Sequence, residues 1–252
     1  MDGFLANHQR KMRSGTVLLV GALGGLWRHR YLPRDATRAQ CAEWLHESCA
    51  RTLRALGVQL EIEGQMPTSG LIVSNHLSYL DIVALSATLP CVFVSKAEVE
   101  QWLIFGRYAR WSGTVFVRRG DRGDVARAND AIRDALPEGV PVVLFPEGTT
   151  TDGERVLRFH STMLQPAIDA SATITPCAIR YELEDGDPSL EVCWWGDMTL
   201  PPHLWNLLGK KTIRVRIVFG EAVIARGDRK QLSGVLHEKV KVLQSCAPLV
   251  RS

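Results

Sequence analysis

The sequence predicts an α/β domain with a largely parallel or mixed central sheet flanked by helices. From Val58 onward, short runs rich in β-branched residues alternate with stretches of helical periodicity, which is the pattern of successive βα units. The chain has 252 residues, of which 46% are apolar and 23% charged. This length and composition are typical of one folded domain with a full hydrophobic core.

A basic and partly apolar segment precedes the alternating part. Residues 1–56 contain nine Lys or Arg and four Asp or Glu, which gives this segment a net charge of +5. The apolar run from Gly15 to Trp27 would rise about 20 Å as a helix, less than the hydrocarbon core of about 30 Å. It has no clean small-x-small cleavage site followed by a mature start, which favours an interfacial or re-entrant anchor over a signal peptide. We therefore predict a helical membrane-association region over 1–56 and an α/β domain over 57–252.

A second helix is predicted from Ala36 to Leu56. Its less polar residues recur at helical spacing on one stripe: Cys41, Trp44, Leu45, Cys49, Thr52, Leu53 and Leu56. Asp35 is the predicted N-cap and Gly57 the residue that ends the helix. The pattern fits a helix packed on the domain core and equally a helix lying on lipid.

The remaining elements follow in order from hydrophobic periodicity. The predicted strands are Gln59–Glu63, Leu71–Ser74, Cys91–Ser95, Thr114–Val117, Val140–Phe145, Thr173–Ile179, Glu191–Trp195 and Ile213–Phe219. The predicted helices are Ser78–Thr88, Glu98–Ser112, Asp124–Leu136, Ser161–Ala170, Pro202–Leu208 and Lys230–Gln244.

Charge and cysteine usage exclude several classes of function. The net charge of +3 is too small to indicate a nucleic-acid partner. The six cysteines include no CxxC pair, so we expect buried reduced thiols rather than a disulfide framework or a zinc site. His76, Asp81, Glu147 and His160 also lack metal-ligand spacing, and no metal site is predicted.

The segment directly after the Leu71–Ser74 strand carries His76 and, five residues on, Asp81. On a continuous helix or strand these side chains would point to different faces. A sharp turn, followed by a helix that begins near Ser78 or Tyr79, would bring the carboxylate to the imidazole. An imidazole held this way can act as a general base. Because no serine or cysteine nucleophile is evident, the base needs an external hydroxyl to activate.

Basic residues follow two other predicted strands. Arg118 and Arg119 come after Thr114–Val117, and Lys96 follows Cys91–Ser95. In parallel sheets the carboxyl ends of the strands gather at one edge, where sites form. We interpret Arg118 and Arg119 as an anion clamp for a phosphate, with Lys96 as a further candidate.

An acidic residue inside a turn follows the Val140–Phe145 strand. Glu147 precedes Gly148, which permits a tight turn whose backbone N–H groups would face an anion. The carboxylate of Glu147 would then bind a hydroxyl of the same ligand. The sequence therefore predicts that three strand ends, those followed by His76, Arg118-Arg119 and Glu147, contribute to one site.

Taken in order, four segments resemble the glycerophospholipid acyltransferase family, specifically 1-acyl-sn-glycerol-3-phosphate acyltransferases. Asn75-His76 through Asp81 matches the family's Asn-His-x4-Asp motif, and Gly113 to Arg119 matches its Gly-x-x-Phe-x-x-Arg block. Phe145 to Thr149 is its Phe-Pro-Glu-Gly-Thr block, and Ile174 to Ile179 resembles its apolar stretch around a proline. The resemblance covers roughly residues 56–219.

The resemblance implies transfer of a fatty acyl chain from acyl-CoA or acyl carrier protein to a lysophospholipid hydroxyl. The implied acceptor is 1-acyl-sn-glycerol-3-phosphate, which would become phosphatidic acid, with no cofactor beyond the acyl donor. His76 and Asp81 would be catalytic, and the implied acceptor-binding residues are Arg119, Glu147, Gly148, Thr149 and Lys96. Because both substrates are amphiphiles, we expect a monotopic or peripheral protein on the cytoplasmic face of the inner membrane.

The chain departs from the family pattern at two places. Many members carry an arginine after Glu-Gly-Thr, whereas this chain has Thr150, and Phe159-His160-Ser161 replaces the more frequent Phe-Lys-x-Gly. In this it resembles a bacterial subgroup that includes lyso-ornithine lipid acyltransferases, so the acceptor head group stays open. Two other classes of function also stay open: a lipid hydrolase that activates water, and a catalytically silent membrane-bound scaffold.

Overall fold

The computed structural model describes residues 2–97, 100, 105–117 and 122–245. Its helices are α1 (Asp2–His29), α2 (Arg38–Leu56), α3 (Leu80–Thr88), α4 (Phe105–Trp111), α5 (Arg122–Ala135), α6 (Gln165–Asp169), α7 (Pro188–Glu191), α8 (Leu200–Leu207) and α9 (Arg229–Ser245). Its strands are β1 (Gln59–Glu63), β2 (Leu71–Ser74), β3 (Val92–Lys96), β4 (Val115–Val117), β5 (Val142–Leu144), β6 (Thr173–Leu183), β7 (Ile213–Phe219) and β8 (Val223–Ile224).

The strands form one mixed sheet in the order β1-β7-β6-β2-β5-β3-β4, with β8 paired to β6. The strands β2, β3, β4 and β5 run parallel to one another, and β6 runs parallel to β2. β7 and β8 pair antiparallel with β6, and β1, which pairs in parallel with β7, runs in the same direction as β7. The sheet therefore confirms the predicted α/β class, and it brings the carboxyl ends of β2 and β5 side by side.

Apolar side chains alternate between the two faces of the central strands, because successive side chains of a strand point in opposite directions. In β2, Ile72 faces the core layer that includes α2 and α3, whereas Leu71 and Val73 face the layer that includes α5 and α9. All three side chains are fully buried. Burial on both faces holds the end of β2, where the site begins, in a rigid setting.

The second predicted helix packs on the core, which settles the alternative left open by the sequence. Trp44, Leu45, Cys49 and Leu53 of α2 are buried in the same cluster as the sheet. The helix ends at Gly57, as predicted, with φ at 74°. Its N-cap was predicted wrongly as Asp35.

The N-cap of α2 is Thr37, which forms a capping box with Gln40. The Thr37 hydroxyl accepts a hydrogen bond from the Gln40 amide at 3.2 Å, and the Gln40 side chain accepts from the Thr37 amide at 2.9 Å. This reciprocal pair satisfies two amide groups that a helix otherwise leaves open. A single acidic cap at position 35 would satisfy fewer of these amide groups.

Helix α1 lies across α2 and extends well beyond the apolar run Gly15–Trp27. The indole of Trp44 donates to the Gly25 carbonyl at 3.0 Å, and the Tyr108 hydroxyl donates to the Ala22 carbonyl at 2.7 Å. A Cβ at Gly25 would come within 2.1 Å of the Tyr108 oxygen, so only glycine permits this close approach. None of the helices in the described ranges combines the length and apolar character needed to cross a membrane.

Most predicted elements agree with the structure within a few residues, and one strand prediction is wrong. The stretch Glu191–Trp195 is not a strand. Asp187 caps the short helix α7 by accepting from the Ser189 amide at 2.8 Å, and Pro188 favours a helix start. After α7, Val192 and Cys193 are buried without strand pairing, and Trp194 and Trp195 are partly buried. Of the predicted helix Glu98–Ser112, the structure describes residues 100 and 105–112, which contain α4.

Candidate active site

A tight turn after β2 joins the two residues that the sequence singled out. The Nδ1 atom of His76 lies 2.7 Å from Oδ2 of Asp81, as predicted. The same oxygen accepts hydrogen bonds from the backbone amides of Leu77 at 2.6 Å and Ser78 at 3.0 Å. Since Asp81 lies in the first turn of α3, the chain reverses between the two side chains in the way the motif requires.

The carboxylate of Asp81 is fully buried and surrounded by donors. Its second oxygen, Oδ1, accepts a hydrogen bond from the hydroxyl of Tyr181 on β6. With His76, Leu77 and Ser78 on Oδ2, this makes four donors to one carboxylate. A carboxylate that accepts from all sides fixes the proton of His76 on Nδ1.

The imidazole of His76 is oriented by an aromatic ring and reaches solvent. It stacks on Phe145 with a centroid distance of 4.0 Å and an interplanar angle of 12°. The side chain is 18% exposed. Within the described part of the chain, its other nitrogen, Nε2, has no hydrogen-bond partner. With the proton on Nδ1, Nε2 carries a lone pair that can accept a proton from a bound hydroxyl.

Glu147 lies beside the turn, with its carboxylate buried against the backbone. Oε1 accepts from the His76 amide at 2.8 Å, and Oε2 accepts from the Leu157 amide at 2.7 Å. Burial raises the pKa of Glu147 to about 7; the two backbone hydrogen bonds oppose this shift, and the charge of Asp81 adds to it. The carboxylate thus joins the ends of β2 and β5 to the segment that contains Leu157.

The loop after Glu147 runs against the turn between His76 and Asp81. Gly148 has φ at 74°, as the predicted turn requires, and its amide donates to the Phe145 carbonyl at 3.1 Å. Of the next two residues, Thr149 is exposed and Thr150 is half-buried. The Thr151 amide then donates to the His76 carbonyl at 3.0 Å. Thr150, in place of the family arginine, therefore lies next to a residue in direct contact with His76.

Asn75 ties the start of the turn to the neighbouring strand. Its side-chain oxygen accepts from the Ile179 amide at 2.8 Å, and its side-chain nitrogen donates to the Ile179 carbonyl at 3.0 Å. These bonds are buried and replace the ladder that β2 would form if it continued along β6. They end the strand while holding His76 at the sheet edge.

The remaining predicted site residues differ in what can be said of them. Arg119, together with Arg118, lies outside the described residues. Lys96 is the last residue of β3, and β3 pairs in parallel with β5. The roles predicted in acceptor binding for Arg119, Lys96, Glu147, Gly148 and Thr149 stay predictions.

Several contacts of the site were not expected from the sequence, among them the Tyr181 hydroxyl on Asp81, the Phe145 ring on His76, and the Asn75 bonds to Ile179. Phe145 and Asn75 belong to the quoted motifs, so their positions gave a signal. Tyr181 gave none, because the predicted strand ended at Ile179, whereas β6 continues to Leu183.

Comparison with known proteins agrees with this geometry. Residues 57–180 match the Acyltransferase family model. A lyso-ornithine lipid O-acyltransferase of Pseudomonas aeruginosa is 35% identical over 241 residues, covering 92% of each chain. A 1-acyl-sn-glycerol-3-phosphate acyltransferase of Neisseria meningitidis is 34% identical over 196 residues, covering 76% of each chain.

A solved structure has the same fold. The crystal structure of the 1-acyl-sn-glycerophosphate acyltransferase PlsC from Thermotoga maritima superposes with a TM-score of 0.68. The match covers 97% of this chain and 99% of that chain, at 19% sequence identity. The sequence relatives, the fold and the His76–Asp81 pair at the end of β2 lead to one conclusion: this chain is a member of the acyltransferase family.

Proposed function

We propose that this protein transfers a fatty acyl chain from acyl-CoA or acyl carrier protein to the free hydroxyl of a lysolipid. The observation that carries the proposal is the His76–Asp81 pair, with Nε2 of a partly exposed imidazole left without a partner in the described residues. The proposed acceptor is 1-acyl-sn-glycerol-3-phosphate, and the product is phosphatidic acid. The reaction needs no cofactor besides the acyl donor.

The transfer proceeds in one displacement without an acyl-enzyme. Nε2 of His76 takes the proton of the acceptor hydroxyl while that oxygen attacks the thioester carbonyl. The new ester C–O bond forms, the C–S bond breaks, and the departing thiolate recovers the proton from the imidazolium. Asp81 holds the imidazole in the reactive tautomer and stabilises its charged form, as the acidic member of a Ser-His-Asp triad does.

A second acceptor, a lyso-ornithine lipid, is favoured by one specific observation. Thr150 stands where many relatives have an arginine, and the next residue, Thr151, contacts His76. A hydroxyl in place of a guanidinium weakens the case for a phosphate head group. The Pseudomonas aeruginosa relative, whose name specifies lyso-ornithine lipid, also matches over most of the chain.

A panel of acceptors tests the proposal. We expect purified protein, given a labelled acyl donor, to release free thiol and form a diacyl product only when a suitable lysolipid is present. The panel contains lysophosphatidate, lyso-ornithine lipid and lysophosphatidylcholine, each with acyl-CoA and with acyl carrier protein. Thin-layer chromatography of the labelled lipid identifies the acceptor, and thiol release gives the rate.

Two outcomes would contradict acyl transfer. Thiol release at the same rate without any lysolipid, with free fatty acid as the product, would identify a hydrolase. Lipid binding without thiol release from either donor would support the scaffold alternative.

We further propose that the protein is monotopic on the cytoplasmic face of the inner membrane and binds it through α1. Six apolar residues form a stripe along this helix, each more than half exposed: Leu5, Met12, Leu19, Val20, Leu23 and Trp27. Their spacing puts them within an arc of about 100° on the helix surface. Each such side chain contributes roughly 1.5–3 kcal/mol when it leaves water completely. The face opposite this stripe packs on α2, so the stripe is available to lipid.

A charge placed in the stripe should release the protein from membranes. We expect Leu19→Glu with Leu23→Glu to lose most of its co-sedimentation with phosphatidylethanolamine–phosphatidylglycerol vesicles, whereas wild type stays bound after a 1 M salt wash. The matched control is Val235→Glu with Val242→Glu on α9, where both valines are also more than half exposed. Complete release of wild type by salt alone, or full binding of the α1 variant, would refute insertion of the stripe.

A further inference from the structure

The two oxygens of Asp81 are held by different parts of the chain. Oδ2 receives its three donors from the local turn, at His76, Leu77 and Ser78. Oδ1 receives the Tyr181 hydroxyl, from a residue 100 positions later in the sequence. Rotation of the carboxylate is therefore fixed by a partner that the Asn-His-x4-Asp motif does not contain.

The backbone of β6 places this hydroxyl firmly. Tyr181 pairs with Val215 in the antiparallel ladder between β6 and β7, and its side chain is 7% exposed. Two residues earlier on the same strand, Ile179 exchanges two hydrogen bonds with Asn75. Strand β6 thus contacts the turn that carries His76 on both sides of that residue. Tyr181 itself lies one residue past the segment that matches the family model.

We propose that Tyr181 is a positioning residue of the acyl transfer reaction, which directs Oδ2 of Asp81 to His76 and draws negative charge from the carboxylate through Oδ1. This role rests on the proposed function, because it requires His76 to act as the base. The hydroxyl touches neither substrate, so its influence passes entirely through Asp81.

The side-chain hydroxyl that donates to Asp81 is that of Tyr181, and ionisable groups surround this pair. The titratable groups that face the Asp81–Tyr181 pair are His76, Glu147, Cys177, Cys193 and Tyr79. No lysine or arginine in the described ranges forms an ion pair with Asp81. Burial, followed by the charge of Asp81 and the hydrogen bond to it, raises the pKa of Tyr181 well above its ordinary value. The phenol therefore stays protonated and donates throughout the working pH range.

Loss of the hydroxyl has two effects with defined signs. The carboxylate gains rotational freedom, so fewer imidazoles are held in the reactive tautomer and kcat falls. The negative charge at Oδ2 also grows, which stabilises the protonated imidazole. The acid side of the pH profile of kcat/KM should then move to higher pH, because His76 must be neutral to act as a base.

The test compares Tyr181→Phe with Tyr79→Phe. Tyr79 is a matched control, since it is 8% exposed and its hydroxyl bonds to Nδ1 of His203 at 3.0 Å rather than to Asp81. We expect Tyr181→Phe to lower kcat about tenfold, the equivalent of one hydrogen bond to a charged group, with KM for both substrates unchanged. The acid limb of the kcat/KM profile of Tyr181→Phe should lie at higher pH than that of Tyr79→Phe. Glu147, whose pKa burial raises to about 7, is retained in both variants, so the difference between them reports Tyr181.

A second substitution retains the phenol hydroxyl, and for it we expect the acid limb of the pH profile to move in the opposite direction. Genetic placement of 3,5-difluorotyrosine at position 181 makes the phenol a stronger donor, so the acid limb should move to lower pH. The inference is overturned if neither variant moves the acid limb, or if Tyr181→Phe and Tyr79→Phe have equal effects. Absence of acyl transfer in wild type would instead refute the proposed function, so the two failures are distinguishable.

Discussion

Replacement of His76 by alanine should reduce acyl transfer by roughly 10²- to 10⁴-fold, the usual contribution of a general base. The expected loss is in kcat, because Nε2 contacts the acceptor proton only as the hydroxyl attacks. KM for the acyl donor should change little. The measurement is thiol release under saturating lysolipid, with circular dichroism to verify that the variant is folded.

The control for this variant is His46→Ala. His46 is half-buried, and its Nδ1 lies 2.8 Å from the Ser86 carbonyl on α3, so its removal also deletes one imidazole hydrogen bond near the same helix. We expect that variant to retain most activity. Wild-type turnover in His76→Ala would exclude the mechanism, and an equal loss in His46→Ala would attribute the effect to folding.

The Glu147→Gln variant should become more stable relative to wild type as pH rises. The folded pKa of Glu147 is about 7, raised by burial, whereas the unfolded chain has the ordinary value of about 4.5. Between these values the folded state binds more protons than the unfolded state, so the wild-type free energy of unfolding falls as pH increases. The total change is roughly 3 kcal/mol at about 1.4 kcal/mol per pH unit. Because glutamine does not titrate, the free energy of unfolding of the Glu147→Gln variant lacks this dependence on pH.

Urea unfolding of both proteins between pH 5 and pH 8 measures this difference. Glutamine also loses one of the two backbone hydrogen bonds, because its amide nitrogen cannot accept from Leu157 or His76. That cost is the same at every pH and does not change the slope. Glu154→Gln, an exposed position in the same loop, controls for loss of one carboxylate. A stability difference that does not vary with pH would show that the Glu147 carboxylate is not penalised by burial.

The sequence was sufficient for the part of the site that depends on local geometry. His76 and Asp81 have only one way to meet, through a turn and a helix start, and the structure contains that turn. Three strands were equally clear, since β1, β2 and β7 have the bounds predicted from their apolar and β-branched residues. Thr37 was missed as a cap because Asp35 has the same capping chemistry two residues earlier.

Contacts between distant segments could not be inferred in the same way. Glu191–Trp195 has strand-like composition, yet it is held by a helix turn at Pro188 and by the Trp194 amide, which donates to the Leu77 carbonyl at 2.8 Å. Tyr181 reaches Asp81 only because β6 continues along the chain beyond its most apolar residues. Periodicity gave β6 without its full length and gave the wrong element for Glu191–Trp195, because the partners of a segment depend on the sheet order, which a single sequence does not specify.

The buried cysteines make a colorimetric thiol assay practical for this enzyme. Cys49, Cys91, Cys177 and Cys193 are almost entirely shielded from water, and burial raises the pKa of each thiol, to about 12 for Cys177. Disulfide reagents react with thiolates, so these residues should consume little of the dye while the protein is native. The colour that develops would therefore measure the free thiol of the spent acyl donor. Cys41, which is only partly buried, and Cys246, which lies outside the described residues, can be exchanged for serine to lower the blank.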